Sequence, residues 1–262
     1  MTKMCDSMIE LTDITKAYYV KRDKSKARVV LDDISMKIDD NEFVCFIGPS
    51  GCGKTTVLNL IAGFEKPTLG KIYCNGKEIT GPSPERGVVF QEYSLLPWLS
   101  AKSNVKLALE AQNIPEKEQD EMAMELLKTV RMDKYADMRP NTLSGGMKQR
   151  VAIARMLALD PEIMLMDEPF SALDADTRSM LDSEIVELWQ KKHRTVVFVT
   201  HIIEEAIQIA SRIVLFSDSP GKIVREWNID IEHPRDLESP EMMQIKKEIS
   251  AALTEISSGQ EI

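Results

Sequence analysis

Phe43-Val44-Cys45-Phe46-Ile47-Gly48-Pro49-Ser50-Gly51-Cys52-Gly53-Lys54-Thr55-Thr56 is the stretch that decides how this chain folds. Its first five residues are apolar without a break, the pattern of a strand buried on both faces. Gly48 to Thr55 then fit the spacing G-x-x-x-x-G-K-T, and Val57, Leu60 and Ile61 follow at helical intervals. A buried strand, a glycine-rich turn and a helix, in that order, are the context a phosphate-binding loop requires. The glycines let backbone N–H groups turn inward around phosphates, and the helix presents its positive N-terminus. Lys54 is placed to reach the β- and γ-phosphates of a nucleotide and the Thr55 hydroxyl to bind Mg²⁺. Pro49, Ser50, Gly51, Cys52, Gly53 and Thr56 complete the cradle. Cys52, at a helix N-terminus, is expected to have a lowered thiol pKa and a reactive thiolate.

Outward from this loop, three more runs are apolar on both faces: Val88-Val89-Phe90, Ile163-Met164-Leu165-Met166 and Val196-Val197-Phe198-Val199. With Phe43–Ile47 they read as central strands of a parallel sheet. The opening section has a different pattern. Ile34, Met36 and Ile38 alternate with polar residues, and Asn75-Gly76 separates Ile72-Tyr73-Cys74 from Lys77-Glu78-Ile79 as a two-residue hairpin turn. An antiparallel β subdomain is therefore expected, and the charged stretch Lys21 to Arg28 reads as a solvated loop.

Between the second and third apolar runs the spacing becomes helical. Met122, Leu126, Leu127 and Val130 share one face, and Met147, Val151, Ala154 and Ala158 another. The reading is one domain over residues 1–262: an α/β core with its β subdomain at about 8–94 and 156–230, a helical subdomain inserted at about 95–155, and a helical tail at 231–262. A helix carrying Leu181, Ile185, Leu188 and Trp189 precedes the Val196 strand. In the tail, Ser239 and Pro240 suit an N-cap and first helical position, ahead of a stripe of Met242, Ile245, Ile249, Leu253 and Ile256.

The run Ile163 to Met166 ends in Asp167-Glu168, two carboxylates at the mouth of a core strand. Beside a phosphate loop such a pair has a division of labour: Asp167 holds Mg²⁺, while Glu168 faces the γ-phosphate as general base for an attacking water.

The composition fits a globular protein and not a disordered one: of 262 residues, 43% are hydrophobic and 29% charged. A formal net charge of −9 argues against a protein devoted to non-specific binding of nucleic acid or anionic lipid. No apolar run approaches the roughly 18 residues of a membrane span. The N-terminus, interrupted by Asp6 and Glu10, lacks the apolar core of a secretory signal, so a cytosolic location is expected. Cys5, Cys45, Cys52 and Cys74 form no Cys-x-x-Cys pair, which disfavours both zinc and a disulfide framework.

Leu143-Ser144-Gly145-Gly146-Met147-Lys148-Gln149-Arg150 resembles the signature motif of ABC ATPases. Its physics is that of a helix start, with Ser144 as cap and the Gly145 and Gly146 amides open to an anion. Met147 stands where many relatives of that family carry Gln. The resemblance extends over residues 8–230 and implies a P-loop NTPase: a RecA-like parallel-sheet core, an antiparallel β subdomain and an inserted helical subdomain. It implies further roles. Gln91 matches the glutamine that touches Mg²⁺ and water, Ser171-Ala172-Leu173-Asp174 a dimer-contact loop, and His201 the switch histidine on the γ-phosphate. Tyr18, with Tyr19 adjacent, matches the aromatic that stacks on adenine.

The same resemblance implies two ATPase subunits closing head to tail, most simply a homodimer, with each ATP between the phosphate loop of one and the signature of the other. Transmembrane permease subunits would be the direct partners at the cytoplasmic face of the membrane, with a solute-binding protein reached indirectly and no nucleic acid. Glu85 to Gln91 followed by Leu95-Leu96-Pro97-Trp98-Leu99 is similar to ATPases of nitrate, sulfonate, taurine and bicarbonate importers. These importers also lack the extra β-domain of sugar-importer ATPases, and in them the segment after Gln91 lies near the groove that grips the membrane subunit. A coiled coil between loop and signature, as in DNA-repair ATPases, and a second cassette, as in translation factors, are both missing from the pattern. The alternative is the ATPase subunit of a separate-subunit exporter.

Overall fold

The structure, a computed structural model, describes residues 7–20, 23–171 and 173–258; Cys5, Asp6, Lys21 and Ala172 lie outside the described residues. The chain separates into two compact units, Met1–Pro82 with Asp182–Ile262, and Ser83–Leu181. In chain order the first stretch holds β1 (Ile9–Val20), β2 (Asp23–Ile38), β3 (Phe43–Ile47), α1 (Lys54–Ala62), β4 (Leu69–Cys74) and β5 (Lys77–Glu78). The second unit holds β6 (Arg86–Val89), α2 (Ala101–Ala111), α3 (Glu116–Thr129), α4 (Gly145–Ala158) and β7 (Ile163–Asp167). Helix α5 (Ala175–Lys192) begins in the second unit and ends in the first. After it come β8 (Thr195–Val199), α6 (Ile203–Ile209), β9 (Arg212–Phe216), β10 (Ile223–Asn228) and α7 (Pro240–Ser257).

The first unit contains two kinds of sheet, as the two sequence patterns require. An antiparallel sheet runs in the order β2-β1-β4-β5. Ile9 faces Ile38, Leu11 faces Met36 and Ile14 faces Ile34, and all six are buried. Leu11 and Ile14 keep to one face despite their odd spacing because a register shift between them adds a residue, the work of a β-bulge. Asn75 and Gly76 close the β4–β5 hairpin with φ of 48° and 70°, as the two-residue turn needs. The charged residues Asp23–Arg28 are strand rather than loop: β2 continues through them, pairing Arg28 with Tyr18 and Ala27 with Tyr19. Arg28 is exposed, so its charge reported solvent contact and not backbone conformation.

The parallel layer of this unit has β3 between β8 and β9, with β10 antiparallel at the edge of β9. Every residue of β3 and β8 is buried, which accounts for their unbroken apolar runs. Helix α7 starts on the hydroxyl of Ser239, which accepts from the Met242 N–H, and packs against α6 through buried Met242, Ile249 and Ala252. Ile245, Leu253 and Ile256 of the expected stripe are half-buried.

In the second unit β6 and β7 pair in parallel from Arg86–Ile163 to Val89–Met166, with Phe90 just beyond the strand. Helix α2 packs on both α3 and α4. The buried face of α3 is Gln119, Ala123 and Leu127, and Met122 and Leu126 are only half-buried. Gln119 holds a core position because its amide donates to the Ile114 carbonyl at 2.9 Å.

Candidate functional site

The phosphate loop follows directly from β3. Gly48, Gly51 and Gly53 have φ of 147°, 80° and 102°. Two of them are also sterically required: a Cβ on Gly48 would stand 2.7 Å from the Phe216 carbonyl oxygen, and one on Gly53 2.5 Å from Leu31 Cδ2. The loop is thus seated against β9 on one side and β2 on the other. A Cβ on Gly51 would meet nothing within 4 Å, so the loop is open on that side. Helix α1 has Gly53 as its N-cap, no side-chain cap, and no acidic residue in its first turn. Its N–H groups and the partial positive charge of the helix start therefore meet no competing carboxylate on the helix itself. Lys54 Nζ donates to the carbonyls of Gly48 at 2.8 Å and Pro49 at 2.9 Å, so the ammonium spans the turn. Ser50 and Thr55 are exposed, and Thr56 is half-buried.

Cys52 departs from the expectation of a reactive thiolate. Its side chain is fully buried, and desolvation pushes the thiol pKa up, with Lys54, whose Nζ is 3.6 Å from Sγ, offsetting only part of it. Burial outweighs the helix start because the charged form is the one that loses its water.

Tyr18 reaches the start of α1 at Thr56. Its hydroxyl donates to Glu65 Oε2 at 2.7 Å, and Lys16 Nζ sits 2.8 Å from the same oxygen and 4.9 Å above the Tyr18 ring. Burial and the bond to Glu65 push the phenol up to about 12, and Thr56 is also within its hydrogen-bonding reach. Tyr18 is 41% exposed and Tyr19 57%. Lys16 and Glu65, which fix the Tyr18 ring, carry no motif and were not visible in the sequence.

In the second unit β7 delivers Asp167, buried, and then Glu168, whose φ of 43° is left-handed for a residue with a side chain. That turn is held by Ser171, whose N–H and hydroxyl both donate to the Glu168 carbonyl, at 3.3 and 3.0 Å. Gln91 comes to the same place: its Nε2 is 3.5 Å from Glu168 Oε2. The signature turn is a capped helix start, as read: the Ser144 hydroxyl accepts from the Met147 N–H at 3.3 Å, and α4 has no acid in its first turn. A Cβ on Gly146 would stand 2.4 Å from Leu173 Cδ2, so the segment leading to Asp174 lies against the signature. Asp174 Oδ1 accepts the Thr177 N–H at 2.9 Å at the start of α5, and this bond holds its carboxyl below the usual range.

His201 is exposed in the first unit, just after β8. That unit therefore holds Tyr18, Gly48–Thr56 and His201, while the second holds Gln91, Ser144–Gly146, Asp167, Glu168 and Asp174. Among the described residues no cluster of three or more His, Cys, Asp or Glu has metal-cage geometry, and no helix is long and apolar enough to cross a membrane.

Residues 31–171 match the family model described as ABC transporter. An ABC transporter ATP-binding protein of Methanocaldococcus jannaschii, itself uncharacterized, is 47% identical over 92% of this chain and 89% of its own length. The nitrate import ATP-binding protein of a Synechocystis strain is 42% identical over the same shares of the two chains. Among solved structures, a dimeric ATP-binding cassette in a post-hydrolysis state with ADP and Pi superposes with a TM-score of 0.78 at 34% identity, covering 86% of this chain and all of that one. A strand–glycine loop–helix, a capped Ser-Gly-Gly helix start and these matches across the chain lead to one conclusion: the protein belongs to the ABC transporter family, as an ATP-binding subunit with a P-loop NTPase fold and ATPase activity.

Proposed function

We propose that this chain is the motor of an importer for a small anion such as nitrate, a sulfonate, taurine or bicarbonate, and that two copies enclose ATP between the phosphate loop of one and the signature of the other. The observation that carries the reading is the pair of helix starts on one chain, at Gly53–Lys54 and Ser144–Gly146, each free of acidic residues in its first turn and each suited to an anion. The relatives named above support the transport role, and the Glu85–Leu99 segment supports the small-anion class. Permease subunits at the cytoplasmic face of the membrane would be its direct partners.

Within the site, Lys54 and the loop amides bind the phosphates, and Tyr18, steadied by Glu65, offers its ring to adenine. Glu168 takes the proton of the attacking water, Gln91 orients that water, and His201 contacts the γ-phosphate. The oxygens of Thr55, Asp167 and Gln91 are hard donors, and so few protein ligands suit an ion that shares its sphere with water and phosphates, so these residues would hold Mg²⁺. Bound there, Mg²⁺ would neutralise phosphate charge.

The test is Glu168→Gln, which keeps size and removes the base. Turnover should fall by on the order of 10² to 10⁴ while ATP still binds, and the protein should become an ATP-dependent dimer by light scattering on a sizing column. Hydrolysis near the wild-type rate would remove Glu168 from the role of base. An ATP-bound protein that stays monomeric at high concentration would refute the shared site.

A further inference from the structure

We infer that Glu205 is a positioning residue for hydrolysis, acting through the Thr200 hydroxyl to hold the turn that presents His201. The inference rests on the reading of His201 as a γ-phosphate contact and adds what fixes that residue in place.

His201 is exposed, and the residues around it in the chain are not. Thr200 is 2% exposed, and its N–H donates to the Phe46 carbonyl at 3.2 Å, continuing the β3–β8 pairing by one residue. Its hydroxyl does two things at once. It accepts the Ile202 N–H at 3.0 Å, closing a small turn over His201, and it donates to the Glu205 carboxylate. Because a hydroxyl has one hydrogen, the donation to Glu205 leaves its lone pairs for Ile202, so the two bonds support each other. The peptide after His201 is thereby held by the Thr200 side chain, while the Thr200 backbone is held by β3.

Glu205 itself is buried in α6, a place where a carboxylate is costly unless it has a task. Its neighbours on α6, Ala206, Ile207 and Ile209, are all buried core. The group sits in the field of a buried cluster that includes Cys45, Asp182 and Arg235. Arg235 is in turn held by the carbonyls of Ile207 and Ala210, at 2.8 and 2.7 Å, which ties α6 to the segment leading into the tail. The turn at His201 is thus braced by an acidic side chain set within a buried layer.

The experiment uses the full chain and three readouts: turnover at saturating Mg-ATP, affinity for a non-hydrolysable ATP analogue, and melting temperature. Thr200→Val keeps the shape and removes both hydroxyl bonds. It should lower turnover by on the order of 10- to 100-fold, as a misplaced catalytic group does, with analogue affinity close to wild type. Thr200→Ser should recover most of the loss. Glu205→Gln, which still accepts from Thr200, should fall less than Glu205→Ala. The deciding arm is the pair His201→Ala and His201→Ala/Thr200→Val: if Thr200 works through His201, the second change adds nothing in that background. An equal further loss there would show Thr200 acting on stability or elsewhere and would overturn the inference. Wild-type turnover in Thr200→Val, with His201→Ala slow, would overturn it while leaving the His201 reading intact. Wild-type turnover in His201→Ala would remove the His201 reading and the inference with it.

Discussion

Helices α1 and α4 both start without an acidic residue in the first turn, yet their openings are built in opposite ways. At α1 the cap is a glycine with φ of 102° and no side-chain cap bond, and the Lys54 ammonium is folded over the loop. At α4 the cap is a serine hydroxyl, and the Lys148 ammonium in the first turn stands 5.9 Å above the Tyr93 ring. The first opening carries its own counter-charge and takes its shape from β2 and β9. The second has a dipole, a set of amides and a serine cap, and its Ser144 is exposed. A site with both charge and shape can bind phosphate alone; a site with amides alone needs the anion brought to it.

The largest effect expected from this difference concerns ATP affinity of the isolated monomer. Lys54→Ala deletes charge-assisted hydrogen bonds worth roughly 1.5–3 kcal/mol, so binding should weaken by about 10- to 100-fold in titration calorimetry. Ser144→Arg places bulk over the signature amides and should leave that monomer affinity near wild type. It should, however, abolish ATP-dependent association of the Glu168→Gln protein. Equal weakening of monomer binding by both changes would break the comparison.

Stability offers the next test, now within the loop. Gly51→Ala meets no atom within 4 Å but must take φ of 80°. It should cost about 1–2 kcal/mol of backbone strain. Gly53→Ala has the same kind of strain at φ 102° and adds an overlap with Leu31 at 2.5 Å. Overpacking of that sort typically adds about 1–3 kcal/mol. Urea unfolding at constant slope separates the two. A cost at Gly51 equal to that at Gly53 would mean that backbone strain, and not the fit against β2, fixes the loop.

What was legible in the sequence follows the same division. The phosphate loop could be read because its determinants are local: glycines at fixed offsets, an apolar run before, helical spacing after. Ile34, Met36 and Ile38 gave the antiparallel sheet for the same reason. Cys52 was misjudged because a helix start is visible in the sequence while burial under distant strands is not. Asp23–Arg28 misled because charge reports contact with water, which an exposed strand has as fully as a loop. On α3 the polar Gln119 occupies a core position through one bond to the Ile114 carbonyl, so the expected face is right at Leu127 and Val130 but half-buried at Met122 and Leu126. Glu205 left a trace, a carboxylate within a helix whose other residues are mostly apolar, but its partner Thr200 belongs to the end of another element. Lys16 and Glu65 left none, being ordinary surface charges until the fold brings them to Tyr18.

The smallest expected effect distinguishes the reasons for a glycine at the α4 opening. A Cβ on Gly146 would approach Leu173 Cδ2 to 2.4 Å, but that atom is the end of a flexible side chain and can move. Against that repacking stands the helix preference for alanine, about 1 kcal/mol over glycine in a helix interior. Gly146→Ala should therefore change stability by less than about 1 kcal/mol in either direction. In a Leu173→Ala background, where the overlap is gone, the same change should be stabilising. A coupling of at least about 0.5 kcal/mol between the two sites in a double-mutant cycle would assign the glycine to its fit with Leu173. Without that coupling, and with ATP-driven association lost in a stable Gly146→Ala protein, the glycine is there for close approach of an anion to the amide. That result would set the signature beside the phosphate loop as a second steric cradle, and the contrast between the two helix starts would narrow to charge alone.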